Sequence, residues 1–212
     1  MKKSNSFVRL TIIAAVFVIA TSCGQGNRKN AIDHKLLSSE LVGMLTEDQK
    51  LRQTFSSVEE KYGIQSKEKK ELVKAIKTQD SINTVKVTSI LDNYGWLGID
   101  EVGENGNNSL FLVIQHSGLE TQEKYLPMMR GAVKSGKALG SDLAFLEDRV
   151  ALRQGGKQIY GSQLYRNNET GKFYFAPIAD ELNVNKRRKE VGLGSIEDRA
   201  REFGFEYEVD AK

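Results

Sequence analysis

The sequence has few of the residues on which common catalytic and metal-binding chemistries depend. Its 212 residues include one cysteine and two histidines. A single thiol cannot close an internal disulfide, and two histidines without a pair of thiolates make a poor zinc site. The sequence also has no G-x-S-x-G nucleophile elbow, no phosphate-binding P-loop and no dinucleotide fingerprint. It therefore predicts no metal and no cofactor, and it matches none of these catalytic classes.

An excess of charge of one sign is also missing from most of the chain. Three of the 31 Lys and Arg residues, Lys2, Lys3 and Arg9, lie before residue 10, and the 28 that remain balance the 28 Asp and Glu. Nucleic-acid binding needs a basic excess clustered on one face. The composition therefore predicts no nucleic-acid partner.

The N-terminal segment is typical of an export signal. The apolar stretch from Leu10 to Ala20 is shorter than the roughly 20 residues that a membrane-spanning helix needs. Basic residues precede it, small residues follow it, and no acidic residue occurs before Asp33. Residues 19–23, which end at Cys23, resemble the lipobox of bacterial lipoproteins. The resemblance implies cleavage before Cys23 and lipid attachment to it, and the alternative is an ordinary secreted protein.

This interpretation divides the chain into three parts. We expect a signal peptide at 1–22, a lipidated polar tether at 23–30 and a single domain at 31–212. The partner implied by Cys23 is a membrane, because multiple acyl chains anchor a protein durably. The predicted location is the cell envelope, with the outer membrane favoured over the inner because Gly24 and Gln25 carry no acidic sorting cue.

The first half of the domain shows helical periodicity. Apolar residues at helical spacing predict one helix from Asp33 to Phe55 and a second from Ser66 to Tyr94 that ends at Gly95. We expect these two helices to pack as an antiparallel pair. The Gly- and Asn-rich residues 95–108 predict an ordered loop bearing Trp96. The apolar run 110–114 predicts a buried helix capped by Asn108 or Ser109.

The second half mixes helices with strand-like segments. Further helices are expected at 121–134 and 141–154, and aromatic residues on either side of the turn 167–171 predict a β-hairpin. Two short helices are expected, one ending at Gly192 and one beginning after Ser195. Large apolar residues occupy every second position from Phe203 to Val209, which predicts a third strand. The predicted fold class is α+β, mostly helical, with a hairpin and a possible third strand near the C-terminus.

Two groups of polar residues interrupt apolar helix faces. Asp148 and Arg149 lie in a helix that is apolar almost all round, where a charge needs a partner. Asp80 and Asn83 interrupt the apolar stripe of the second helix. Each group fits either a structural set of ion pairs and hydrogen bonds or a ligand pocket. A weak oxygen-rich cation site at Asp80 and Asp148 remains open as a further alternative.

His116 directly follows the buried run 110–114 and is the C-terminal region's only histidine. Such a residue is either a satisfied core histidine or a general base. Histidine serves as a base near neutral pH without any perturbation of its pKa. We expect Asp80 or Asp148 to orient it if it is catalytic.

From Asp80 to about Phe203 the chain resembles an uncharacterised bacterial domain family, found alone and in exported lipoproteins. It departs from the family pattern at Leu97, Ser162 and Ser117-Gly118, where that pattern has proline, threonine and Ala-Asp. The resemblance implies a shared fold and brings no established activity. The matching residues are Asp80 and Asn83, Gly95-Trp96, Gln115-His116, Asp148-Arg149-Val150, Tyr160-Gly161-Ser162-Gln163, Pro177-Ile178 with Asp180, and Arg187-Arg188 before Gly192-Leu193.

Packing does not readily explain the polar members of these motifs, and they form the predicted site. Arginines there suit bidentate capture of a carboxylate or phosphate. The favoured function is binding of a polar or anionic ligand or a partner. The alternatives are an envelope hydrolase or transferase with His116 and Asp148 as catalytic residues, and a purely structural role. The predicted ligand-binding residues are Asp80, Asn83, Gln115, Arg149, Tyr160, Gln163, Asp180, Arg187 and Arg188.

Overall fold

Helices make up most of the domain, and a small hairpin follows them. The computed structural model describes residues 33–167 and 169–209. The helices of the first two thirds are α1 (His34–Gln53), α2 (Phe55–Tyr62), α3 (Lys67–Tyr94), α4 (Ile99–His116), α5 (Leu119–Lys134) and α6 (Gly140–Arg153). The remaining elements are β1 (Leu164–Arg166), β2 (Phe173–Phe175), a 3₁₀ turn at Glu181–Asn183, α7 (Val184–Glu190) and α8 (Ile196–Glu202). The predicted mostly helical α+β class is confirmed.

The bounds of α3 agree with the prediction, whereas the first predicted helix divides in two. The Ser66 hydroxyl accepts a hydrogen bond from the Lys69 amide at 3.2 Å, and Gly95 ends α3 with φ of 73°. Thr54 separates α1 from α2. Helices α1 and α3 contact each other, and α1 packs more extensively against α4 than against α3.

The predicted loop at 95–108 is also wrong from residue 99 onward. Helix α4 begins at Ile99. The amide of Gly98, the residue before it, donates a hydrogen bond to the Glu101 carboxylate at 2.7 Å. Gly103, with φ of 74°, allows a kink inside α4. A β-carbon at Gly106 would lie 2.9 Å from Cβ of Val102, so glycine permits close packing there. The predicted caps Asn108 and Ser109 therefore lie inside the helix.

The main apolar core joins α1, α3, α4, α5 and α6. Fully buried side chains from these helices include Leu41, Val87, Leu110, Ile114, Met129 and Leu146. Burying one such side chain contributes about 1.5 to 3 kcal/mol. The core therefore fixes the positions of α1, α3, α4 and α6 relative to one another.

The C-terminal region has one antiparallel hairpin, in which Tyr165 pairs with Tyr174. The predicted third strand is not confirmed, because residues 203–209 form no ladder with the described strands. Their aromatic side chains pack on the hairpin instead. The rings of Phe205 and Tyr207 lie edge-on to Phe175, with centroids 5.3 and 4.9 Å away. The alternation therefore reflects side-chain packing without strand pairing.

Gly161 brings the segment before the hairpin close to α8. Its φ is 63°, and a β-carbon there would lie 2.5 Å from Cδ1 of Ile196. The positive φ favours glycine at this position, and a β-carbon would also displace the end of the Ile196 side chain. The close approach supports a small second core of Ile178, Val184 and Ile196.

The predicted signal peptide, the tether and Cys23 lie outside the described residues. None of the described helices is long and apolar enough to cross a bilayer.

Candidate functional site

An ion-pair network joins α1 to α3. Arg52 is held by Asp48 one turn earlier, with Nε and Nη2 3.1 to 3.2 Å from the carboxylate oxygens. Its Nη2 also pairs with Asp80 on α3. Asp48 is 4% exposed, so its charge needs these partners. Arg52 therefore acts as a bridge between two carboxylates.

His116 contributes the third element of this network from the last residue of α4. Its Nδ1 is buried and lies 3.5 Å from Oδ1 of Asp48, a charge contact without a hydrogen bond. Its Nε2 has no hydrogen-bond partner among the described residues and is not buried, so it is the ring nitrogen that solvent reaches. The imidazole thus presents one nitrogen to a carboxylate and the other to open space.

The two carboxylates of the network have opposite pKa shifts. Burial raises the pKa of Asp48, but the contacts with His116 and Arg52 outweigh it and hold this pKa well below its usual range. At Asp80 burial prevails over the attraction of Arg52, and the pKa is raised. Asp48 is therefore the firmly ionised partner of the imidazole.

Arg149 lies on α6 and faces the same space. No described residue accepts a hydrogen bond from its guanidinium or forms an ion pair with it, and its Nε is buried without a partner. Burial, followed by repulsion from Arg153 and Arg52, lowers the pKa of Arg149 to about 10. The side chain still carries its positive charge at neutral pH. The structural alternative, an ion pair of Arg149 with Asp148 or Asp80, does not form.

These side chains line a cavity of about 430 Å³, which we name the Arg149 cleft. Its charged groups favour an anion: Arg52, Lys77 and Arg149 line it as cations, whereas Asp80 lines it as a carboxylate and Asp48 pairs with Arg52 behind the lining residues. Part of the lining is apolar. The residues that line the cleft are Arg52, Phe55, Val73, Ile76, Lys77, Asp80, His116 and Arg149.

Two further spaces adjoin the cleft and share residues with it. One, also of about 430 Å³, shares Lys77, Asp80 and His116 and extends to Ser117 and Gly118. The other, of about 280 Å³, shares Arg149 and extends to Gln163 and Tyr165. Arg149 and His116 therefore each lie where two cavities meet.

A metal site is the less favourable interpretation of this cluster. Ligand atoms of Asp48, Asp80 and His116 lie within 4.8 Å of one another. Arg52 already occupies the position between the two carboxylates and supplies the positive charge that they require. Arg149 adds a further cation that would repel a metal ion. The alternative pair, Asp80 with Asp148, does not form a cluster either, because Asp148 is bound by the main chain.

Asp148 has a different environment from Arg149, its neighbour in the sequence. It is completely buried, and its carboxylate accepts hydrogen bonds from the amides of Ile159, Tyr160 and Ser162 at 2.6 to 3.2 Å. These bonds hold the loop that follows α6. The carboxylate that contacts His116 is Asp48, whereas Asp148 is committed to this loop.

Several other predicted residues make structural hydrogen bonds. The Asn83 amide oxygen accepts a hydrogen bond from Gln79, and the Gln115 side chain donates to the main-chain oxygen of Phe145. Gln163 donates to the same oxygen. Of these, only Gln163 lines a cavity adjoining the Arg149 cleft.

The remaining predicted residues hold the C-terminal loops. Arg187 pairs with Asp180 at 3.0 Å and donates to the main-chain oxygen of Ile159 at 2.8 Å. Arg188 is buried and donates to the main-chain oxygens of Tyr160 and Gly194. Tyr160 supplies one of the amides bound by Asp148. The structure therefore brings Asp80, His116 and Arg149 together and places this second group elsewhere.

Sequence reasoning missed Asp48, Arg52 and Lys77. A signal for Asp48 was present, because it continues the buried stripe of Leu41 and Met44 on α1. Arg52 follows it at the i+4 spacing of a helical ion pair. Lys77 gave no such signal, since exposed lysines are common on helices.

Comparison with known proteins gives the family of the chain and nothing more. No curated protein and no solved structure matches it. The model of a family of unknown function, DUF6624, matches residues 35–212. The match confirms that the chain carries a domain of unknown function, and it extends over more of the chain than residues 80–203. All residues of the Arg149 cleft lie within it. The chain therefore belongs to the DUF6624 family.

Proposed function

We propose that this protein is a lipid-anchored component of the cell envelope whose domain binds a small anionic ligand in the Arg149 cleft. The observation that carries the binding proposal is the state of Arg149. A largely buried guanidinium loses hydration, and that loss is normally offset by a carboxylate or by acceptor oxygens. The described residues offer Arg149 neither.

A bound anion would supply the missing partner. Nη1 and Nη2 of Arg149 are both reached by solvent and form no hydrogen bond with described residues. Two such donors in one plane match the two oxygens of a carboxylate or phosphate. Lys77 on α3 adds a second cation at the cleft. The cleft is therefore suited to a group with one or two negative charges.

The rest of the cleft indicates what the anionic group is attached to. Phe55, Val73 and Ile76 supply the apolar part of the lining. A cavity of about 430 Å³ lies within the range of about 300 to 1,000 Å³ typical of small-molecule sites. The favoured ligand is an amphiphile, with a carboxylate or phosphate head and a short apolar body.

The test uses hexanoate and hexyl phosphate as probes, with hexanol as the neutral counterpart. Either anion should raise the melting temperature of residues 31–212, because a ligand that binds only the folded state stabilises it. Hexanol should not. Arg149→Met should remove the effect, and the matched control Arg201→Met, on α8 away from the cleft, should retain it. Equal shifts in both variants would refute the assignment.

The anchor proposal is supported by the lipobox-like residues 19–23. Cys23→Ala should block uptake of labelled fatty acid and leave a slower-migrating precursor. Ser22→Ala is the control, because small residues are accepted before the lipidated cysteine. Normal labelling of Cys23→Ala would exclude lipidation at this position. Separation of the membranes on a density gradient then tests the outer-membrane assignment.

A further inference from the structure

We propose that the Arg149 cleft also hydrolyses an ester bond in its anionic ligand, with His116 as general base and Asp48 as the residue that positions it. This inference rests on the proposed binding function. It depends on three observations: the orientation of the imidazole, the state of the nearby hydroxyl groups and the charges around the ring.

The orientation of His116 suits a base. Asp48 faces Nδ1 at 3.5 Å, and Arg52 holds the same carboxylate in place through Nε and Nη2. A carboxylate at this position favours the tautomer that carries its proton on Nδ1. Nε2 is then an acceptor, and it is the nitrogen that solvent reaches. The ring is thereby ready to take a proton from a group in the cleft.

The nucleophile is water, because the nearby hydroxyls are engaged elsewhere. Ser81, Thr84 and Ser117 line the cavity beside His116. Each donates its hydroxyl hydrogen to a main-chain oxygen one turn or less away, at 2.7 to 2.9 Å. None donates to the imidazole. This arrangement favours direct hydrolysis over transfer through a covalent enzyme intermediate.

The reaction balances with water as the only co-reactant. Nε2 of His116 accepts one proton from water while the water oxygen bonds to the acyl carbon, and the carbonyl oxygen becomes an oxyanion. The oxyanion then collapses and the carbon–oxygen bond to the alcohol breaks. The departing alkoxide takes the proton from Nε2. The products are a carboxylic acid and an alcohol, no atom changes oxidation state through an outside reagent, and His116 returns to its starting form.

Charged groups from three helices surround the imidazole and affect both steps. The cations stabilise the oxyanion, because a fixed positive charge in a partly desolvated cleft attracts the negative charge that develops in the transition state. The carboxylates favour the protonated imidazole that forms during attack. These groups are Asp48 and Arg52 from α1, Lys77 and Asp80 from α3, and Arg149 from α6.

The experiment measures release of 4-nitrophenolate from mono-4-nitrophenyl succinate, an ester that carries a carboxylate. His116→Asn should lower kcat/KM by about 100-fold, the lower end of the range for a general base. The control is His34→Asn, since His34 is exposed at the start of α1 and remote from the cleft residues. Its rate should equal that of the wild type. Equal rates in His116→Asn and wild type, both folded by circular dichroism, would overturn the proposal.

The role of Asp48 is tested by separating kcat from KM for the same ester. Asp48→Asn should lower kcat and leave KM near that of the wild type, because the imidazole loses the carboxylate that orients it while the cations that bind the substrate remain. Asp48→Glu should restore part of kcat and serves if Asp48→Asn does not fold. A wild-type kcat in folded Asp48→Asn would refute the positioning role.

Failure of hydrolysis is distinguishable from failure of binding. If hexanoate stabilises the protein through Arg149 but the ester is not turned over, the binding function stands and this inference is overturned. A neutral ester, 4-nitrophenyl butyrate, gives a further comparison. It should be hydrolysed at least 10-fold less efficiently, and the difference should disappear in Arg149→Met. Equal rates for the two esters in the wild type would contradict anion-directed hydrolysis.

Discussion

Asp148 and Arg149 are adjacent on α6, yet their surroundings are opposite. Asp148 is completely buried and accepts hydrogen bonds from three main-chain amides. Arg149 is largely buried and has no partner among the residues that the structure describes. A helix turns by about 100° per residue, so the two side chains point to different neighbours. Adjacent charges in one apolar helix can thus serve the fold and a ligand separately.

The comparison shows that the partner of a buried charge, more than its burial, indicates its role. A satisfied buried charge stabilises the structure around it and is costly to remove. An unsatisfied buried charge lowers stability, so its presence indicates a role in binding or chemistry instead.

The largest effect is expected for Asp148→Asn. The amide keeps the volume but loses the charge, and its NH₂ group cannot replace Oδ2, which accepts hydrogen bonds from the amides of Tyr160 and Ser162. We expect a loss of about 3 to 5 kcal/mol, because each hydrogen bond to a charged group contributes about 1.5 to 3 kcal/mol. Urea unfolding at pH 7 measures it. A loss below about 1 kcal/mol would show that the loop does not depend on Asp148.

Arg52→Met should have the next largest effect, a loss of about 2 to 3 kcal/mol at pH 7, because it leaves Asp48 and Asp80 without their cation. The lowered pKa of Asp48 in the wild type means that its contribution is present above the unfolded value of 3.8 and is lost as pH falls through the folded value. In the variant Asp48 protonates more readily. The deficit should therefore shrink below about pH 4, and a deficit independent of pH would contradict this account.

Asp142, also on α6, extends the comparison to a carboxylate that has no partner within residues 33–167 and 169–209. Burial raises its pKa from 3.8 to about 6. A raised pKa means that the ionised form is disfavoured in the folded state, so the penalty is complete above about pH 6 and absent below about pH 4. After discounting for partial exposure, Asp142→Asn should stabilise the protein by about 1 to 2 kcal/mol at pH 7. At pH 4 the variant and wild type should unfold at the same denaturant concentration.

Arg149→Met should have the smallest effect on stability, between no change and a gain of about 1 kcal/mol, because it replaces an unpartnered cation with an apolar side chain of similar length. Thermal and urea unfolding without ligand measure this. A loss of 3 kcal/mol or more would reveal a structural partner and remove the difference from Asp148.

Local signals in the sequence predicted much of the fold. Ser66 and Gly95 mark the ends of α3 because a serine cap and a glycine with positive φ act within one turn of the chain. Residues 95–108 were misinterpreted, since the same glycines that suggest a loop provide a kink at Gly103 and close packing at Gly106. That distinction depends on contacts between residues distant in the sequence.

The sequence also predicted some residues of the candidate site but not how they are arranged. Polar residues in apolar stripes identified Asp80 and Arg149, and position after a buried run identified His116. The sequence could not show that these three converge, because they lie on α3, α6 and α4. Nor could it assign the partners: Asp148 binds main-chain amides, and Asp48 takes the place beside His116. Such choices depend on how the helices pack.

Gly161 has a consequence for how the domain tolerates genetic change. In a library that replaces every residue in turn, substitutions at 161 should be depleted, alanine included, because φ of 63° disfavours residues that carry a β-carbon. Gly118 and Gly131, whose β-carbons would meet nothing within 4 Å, should accept alanine. The depletion should depend on the yield of folded protein and not on whether a ligand is present. The reason is that Gly161 lies between two residues whose amides donate hydrogen bonds to Asp148. Position 161 would then serve as an internal standard that separates misfolded variants from those deficient only in the cleft.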